Sequence, residues 1–250
     1  FPAQDSDLRQ NIALKQEHTR RVCEEIVAVG KELGLSKAKT DLAEVMALFH
    51  DVGRFEQYLH YRTFVDGKSV NHAELGVKIL REKNVLAGLD MHTRELVLSV
   101  IACHNRAHLS DIDDPVCLFF ARLLRDADKL DIYRVVTDCY TERADRKNKA
   151  VELDLPDIPE ISHEVFQYFM ARRVIQHAQL KTLNDFKLLQ LAWIFDINFT
   201  PALRRVCERG YVQIILNSLP DMPQTREISL LIETYLSKPA QCLETGEGCR

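Results

Sequence analysis

Three observations predict an all-α fold for this 250-residue chain. Apolar residues return at helical intervals along most of its length, as in Leu8, Ile12, Val22, Ile26, Val29 and Leu33. Gly (9) and Pro (8) are scarce, which favours long regular elements over a turn-rich β architecture. No stretch shows the strict apolar/polar alternation of a half-buried strand. Apolar residues make up 46% of the chain, enough to furnish a sizeable core at this length.

The elements follow in order. A first helix runs over residues 8–33 and stops at Gly34. His18 lies four residues before Val22 and eight before Ile26, so it shares their apolar face. Ser36 or Thr40 caps a second helix through Leu42, Val45, Met46 and Phe49. His50, four residues after Met46, points inward, and Gly53 reads as the stop. Residues 54–69 are polar and aromatic with a turn signal at Asp66-Gly67, and they read as a long functional loop. Asn71 with Glu74 resembles a capping box for a helix holding Leu75, Ile79 and Leu80, with His72 in its first turn. Thr93 caps the next helix, whose Leu96, Val97, Val100 and Ile101 precede an inward His104. Asp113-Asp114-Pro115 opens another helix, with Leu118, Ala121, Leu124, Asp128 and Ile132 on related faces. A carboxylate on an apolar stripe is costly unless it is paired or bound to metal.

Residues 141–160 are charged and then interrupted by Pro156 and Pro159, as in a connector. Helices are expected near 162–178, 182–196, 200–217 and 223–237, with Trp193 and Phe195 among their core residues. The domain organisation expected is a metal-binding core over 1–140, with the connector and C-terminal helices of 141–250 packed as part of the same domain.

Basic (33) and acidic (37) residues nearly balance, which argues against nucleic acid or an anionic membrane as the partner. The seven cysteines include no Cys-x-x-Cys pair and read as reduced thiols of a cytoplasmic protein. No apolar run nears the ~20 residues that span a bilayer. The first residues carry no basic and apolar signal pattern. Oligomeric state has no legible signature here.

Six side chains stand apart: His18, the pair His50-Asp51, His72, His104 and Asp128. Singly, each would be an ordinary core or surface residue. Together, imidazoles and carboxylates without a thiolate suit Fe, Mn, Co or Ni, with Zn or Mg possible, and disfavour Cu(I) and all-oxygen Ca²⁺ sites. The set exceeds what one open metal needs. Two ions sharing Asp51 would use it fully, with His18, His50 and Asp128 around one and His72 and His104 around the other.

In this pattern the chain resembles the HD-domain superfamily of metal-dependent phosphohydrolases, over about residues 10–135. The matching residues are His18, Phe49-His50-Asp51-Val52-Gly53, His72 in Asn-His-Ala-Glu-Leu-Gly, His104 in Cys-His-Asn, and Asp128 in Asp126-Ala-Asp-Lys-Leu-Asp131. The resemblance implies an HD-domain helical bundle with additional C-terminal helices. It implies a His, His-Asp, Asp core that His72 and His104 extend to a binuclear form. It also implies hydrolysis of a phosphoester or phosphoanhydride by a metal-activated hydroxide. The Gly-Tyr-Pro signature of the cyclic-dinucleotide phosphodiesterases and the paired acidic motif of alarmone synthetase-hydrolases are absent. A small phosphorylated substrate, a nucleotide by analogy, is the expected partner. A mixed-valent di-iron oxygenase and a non-catalytic metal and nucleotide sensor are the alternatives on the same scaffold.

Asp51 is the expected shared ligand, with Lys129 and Arg54 as cations stabilising phosphoryl charge. His108, placed one turn past His104, is expected within reach of substrate. Asp131 is expected to support the helix end or orient a ligand, and Asp126 to lie on the surface. Arg62, Lys68 and the remaining histidines (His60, His92, His163 and His177) read as solvated or supporting residues.

Overall fold

The computed structural model describes residues 5–141, 152–153 and 155–237, and no strand occurs among them. The fold is all-α, as predicted. The helices are α1 (Ser6–Glu32), α2 (Lys37–Phe49), α3 (Val52–Tyr61), α4 (His72–Glu82), α5 (Met91–Cys103), α6 (Pro115–Thr141), α7 (His163–Met170), α8 (Leu183–Ala192), α9 (Thr200–Glu208), α10 (Tyr211–Asn217) and α11 (Pro223–Leu236). The chain divides into two compact units, one ending at Asp131 and the other starting at Ile132, so α6 runs through the boundary.

In the first unit α1 packs on α2 and α3, α3 on α4, α4 on α5, and α5 back on α2. Val22, Ile26 and Val29 of α1, Ala43 and Met46 of α2, and Val97, Val100 and Ile101 of α5 are fully buried. Each of the larger aliphatic side chains contributes about 1.5–3 kcal/mol by leaving water. A smaller cluster of Leu8, Ile12 and Tyr58, with Phe55 and Phe64 against it, fastens α3 to the start of α1. There the Tyr58 hydroxyl donates to Asp7 Oδ2 at 2.8 Å and accepts from Asn11 Nδ2 at 2.8 Å.

Several boundaries differ from expectation for identifiable reasons. Ser36, not Thr40, caps α2, its side chain accepting from Lys39 N. Asp90 rather than Thr93 caps α5, and its carboxylate accepts both the amide and the hydroxyl of Thr93, at 3.1 and 2.6 Å. Residues 54–69 are not one long loop, because α3 occupies their first half and a 3-10 turn, Asp66–Lys68, lies beyond it. Gly53 does not stop α2; it sits in the first turn of α3. A Cβ there would collide with the His72 carbonyl oxygen and stand 2.7 Å from Gly76 N, so the residue lets α3 approach the backbone of α4 closely.

In the second unit α7 packs on α8 and α11, and α10 on α8 and α9. The helix expected over 162–178 ends at Met170, followed by Arg172 in a left-handed conformation (φ 53°). The helix expected over 200–217 is two helices broken at Gly210 (φ 68°). Trp193 and Phe195 are half-buried in a 3-10 turn around the fully buried Ile194. Trp193 meets Tyr133 edge-on at 5.6 Å, and Phe195 meets Tyr235 at 4.8 Å. Of the expected connector, 142–151 and 154 lie outside the described residues, and 155–160 form no helix.

Candidate metal centre

The first unit brings the six singled-out side chains together. His18 projects from the middle of α1. His50 is the C-terminal cap of α2 and Asp51 occupies the N-cap position of α3. Asp at that position ordinarily accepts a backbone N–H of the helix it opens. The Asp51 carboxylate makes no such bond and turns to the histidines instead. His72 begins α4, one residue after Asn71, whose side chain accepts from Ala73 N and Glu74 N. His104 caps the C-terminus of α5, and Asp128 lies within α6.

The two oxygens of Asp51 face different pairs of imidazoles. Oδ2 lies 3.5 Å from His18 Nε2 and 3.6 Å from His50 Nε2. Oδ1 lies 3.3 Å from His72 Nε2 and 3.9 Å from His104 Nε2. Asp128 Oδ1 completes the first group, 3.1 Å from His18 Nε2 and 3.7 Å from His50 Nε2. The Nε2 atoms of His72 and His104 are 3.0 Å apart. Donor atoms sharing one ion at bonds of about 2.1 Å stand roughly 3.0–3.4 Å from each other, so these gaps are close to the spacing of a coordination sphere. His18, His50 and Asp51 form one group able to hold a metal ion, and Asp51, His72 and His104 form another.

Two further features fit an ion. His18 Nε2, His50 Nε2 and Asp128 Oδ1 are buried and have no hydrogen bond, an arrangement unfavourable unless something coordinates them. In addition, every imidazole is held through its other nitrogen. His18 Nδ1 is 2.7 Å from Asp131 Oδ2, His50 Nδ1 2.7 Å from the Ala47 carbonyl, and His104 Nδ1 2.7 Å from the Ile101 carbonyl. His72 Nδ1 is 2.8 Å from Asp66 Oδ2. Carbonyls and ionised carboxylates only accept, so their chemistry assigns a donating Nδ1–H to each ring and aims Nε2 at the centre.

Electrostatics follow from burial. Burial pushes His104 down to about 3, helped by the neighbouring His72 and His50. Burial and the Arg54 guanidinium also lower His72. Burial opposes charge on His50, but Asp51 and Asp128 outweigh it and raise that imidazole. Burial likewise opposes ionisation of Asp51, yet Lys15, His50, Arg54 and His72 hold it well below the usual carboxylate range. Burial opposes ionisation of Asp128, yet the close His18 and His50 imidazoles hold it well below the usual carboxylate range.

The remaining expected site residues are placed as follows. Arg54 Nε is 3.5 Å from Asp51 Oδ1, while its Nη1 donates to the Phe64 carbonyl, to Asp66 Oδ1 at 2.9 Å and to Gln57 Oε1 at 2.9 Å. Lys129 is buried on α6 beside Asp128. His108 is not one turn above His104, because α5 ends at Cys103; it is exposed on the following loop. Asp126 is fully buried rather than on the surface. Arg62 pairs with Asp5 at 2.7 Å.

Three supporting residues escaped the sequence reading. Asp66 gathers His72, Arg54, Gln57 and Asn105 around one carboxylate. Arg21 clamps Asp131 through Nε and Nη2, and so braces His18. Lys15 donates to Asp51 Oδ2 at 2.6 Å. The i, i+3 spacing of Lys15 and His18 is the only signal that could have found it.

Residues 16–133 match the family model described as HD domain. No curated protein and no solved structure matches the chain significantly. The matched segment runs from just before His18 to just past Asp131, so His18, His50, Asp51, His72, His104 and Asp128 all lie within the part of the chain that is similar to an HD domain. Among the described residues no helix is long and apolar enough to cross a membrane.

Proposed function

We propose that this protein is a metal-dependent phosphohydrolase that cleaves a phosphoester or phosphoanhydride of a small substrate, with a nucleotide as the substrate class favoured by analogy with the family. The observation that carries this reading is the division of Asp51, one oxygen toward His18 and His50 and the other toward His72 and His104. One carboxylate between two donor groups suits a pair of divalent transition ions, with Asp128 completing the first. When bound, such ions would supply a water of lowered pKa and positive charge against phosphoryl oxygens.

The chain's own residues do the rest. Asp66, Asp131 and the Ala47 and Ile101 carbonyls fix the four rings in one tautomer. His18, His50, Asp51, His72 and His104 are buried, so their charges act at a lower dielectric than in water. Arg54, with Nε near Asp51, and Lys129, beside Asp128, are the cations proposed to favour the charge that develops on the transferring group.

The test is anaerobic loading with Mn²⁺ followed by a panel of nucleotide and non-nucleotide phosphoesters. Release of inorganic phosphate or of a phosphorylated fragment is the expected outcome. Turnover that needs iron and consumes oxygen would replace this reading with an oxygenase, and binding without turnover across the panel would replace it with a sensor.

A further inference from the structure

Lys15 stands closer to Asp51 than Arg54 does, 2.6 Å against 3.5 Å. It leaves α1 one turn before His18, on the same face. Its ammonium also lies 5.4 Å from the centre of the Phe64 ring, which flanks it on another side. Exposure separates it from the groups it serves. The side chains of His18, His50, Asp51, His72 and His104 are at most 4% exposed, whereas those of Lys15 and Arg54 are 17% and Asp128 19%. Lys15, Arg54 and Asp128 thus keep part of their surface in solvent at the edge of the centre.

At that edge the two cations are not equivalent. Arg54 has its Nη1 committed to Phe64, Asp66 and Gln57, which pins the guanidinium to the loop before α4. Lys15 makes a single hydrogen bond among the described residues, to Asp51, so its ammonium keeps two further N–H donors. A compact ammonium on a flexible stem can hold one anionic oxygen and donate to another at once.

We propose that Lys15 binds the substrate directly, donating to an anionic phosphoryl oxygen at this edge of the centre while it remains against Asp51 Oδ2. The proposal rests on the phosphohydrolase reading. Its rival is that Lys15 only neutralises Asp51, in which case it would matter for metal retention and not for the anion.

The experiment uses the full chain loaded with Mn²⁺ and inorganic phosphate as the probe. Metal content is measured by elemental analysis and phosphate affinity by calorimetry, for the wild type, Lys15→Met and Lys15→Arg. The expected result is unchanged metal stoichiometry in Lys15→Met, phosphate binding weakened tenfold or more, and recovery to within a few-fold in Lys15→Arg. Phosphate affinity in the loaded Lys15→Met protein equal to that of the wild type overturns the proposal while leaving the phosphohydrolase reading intact. Loss of metal from Lys15→Met without loss of phosphate affinity per loaded molecule assigns Lys15 to charge neutralisation and overturns it too. A loaded wild type that fails to bind phosphate sinks the phosphohydrolase reading itself, and the proposal with it.

Discussion

At the scale of single residues, Asp51 is the carboxylate whose two oxygens face the two halves of the centre. Asp51→Ala is expected to reduce bound metal from about two ions per chain to near zero, and turnover with it; elemental analysis after desalting reads this directly. Retention of a full metal complement would defeat the shared-carboxylate scheme. The acceptors behind the rings make a graded prediction. Asp66→Ala and Asp131→Ala should each weaken metal binding about 10- to 100-fold, because they free His72 or His18 to rotate. His50 and His104 are tied to main-chain carbonyls, so no side-chain substitution reproduces that effect on them. Lys129→Ala should lower turnover about tenfold or more with metal content intact; unchanged kinetics would remove Lys129 from the reaction. The convergence of the six side chains was legible because histidines and a carboxylate on apolar helical stripes need a reason to be there. Asp66 was not, since Asp-Gly reads first as a turn, and Lys15 was not, since a lysine on a long helix reads first as a solvated charge.

Among elements, the approach of α3 to α4 decides whether Asp51 and His72 can meet. Gly53→Ala would press a methyl group against the His72 carbonyl. It is expected to destabilise the metal-free protein by about 1–3 kcal/mol in denaturant unfolding, in line with other overpacked sites. Metal affinity should fall alongside, because the atoms displaced belong to His72, whose Nε2 faces Asp51. Unaltered stability and metal binding would show that the two helices can part without consequence. Helices with clear caps or stops, such as α1, α4 and α6, were readable to within a few residues. α3 was hidden by a glycine in its first turn and by a polar composition whose apolar members, Phe55 and Tyr58, face the small cluster at the start of α1. The breaks at Arg172 and Gly210 depend on left-handed backbone conformations, and apolar periodicity carries no mark of those.

For the molecule as a whole, the centre ties stability to pH. An unfolded imidazole takes up its proton near pH 6.5, whereas folded His104 holds off until about 3. Below pH 6.5 the unfolded chain therefore binds more protons, and stability falls by up to about 1.4 kcal/mol per pH unit for such a group. His72 acts in the same direction. His50 opposes them, since its raised value gives stability that is present below pH 6.5 and lost as pH rises through the folded value. Asp51, Asp66, Asp128 and Asp131 add a second loss below about pH 3.8, as the pH falls through their depressed folded values. The melting temperature of the metal-free protein should accordingly drop between pH 7 and pH 4, and His104→Gln should flatten the slope between pH 6.5 and pH 4. A slope identical in wild type and variant, by calorimetry across that range, would contradict the buried neutral state of His104.

The acceptors behind the imidazoles have a spectroscopic consequence. Ring protons anchored to Asp131, Ala47, Asp66 and Ile101 are shielded from exchange with solvent. Before any ion is added, the protein should display sharp, downfield imidazole N–H resonances in nitrogen-edited spectra, one for each ring of the centre. Those signals would make the readiness of the site visible in its resting state, and broadening of a single one would show which ring had come loose.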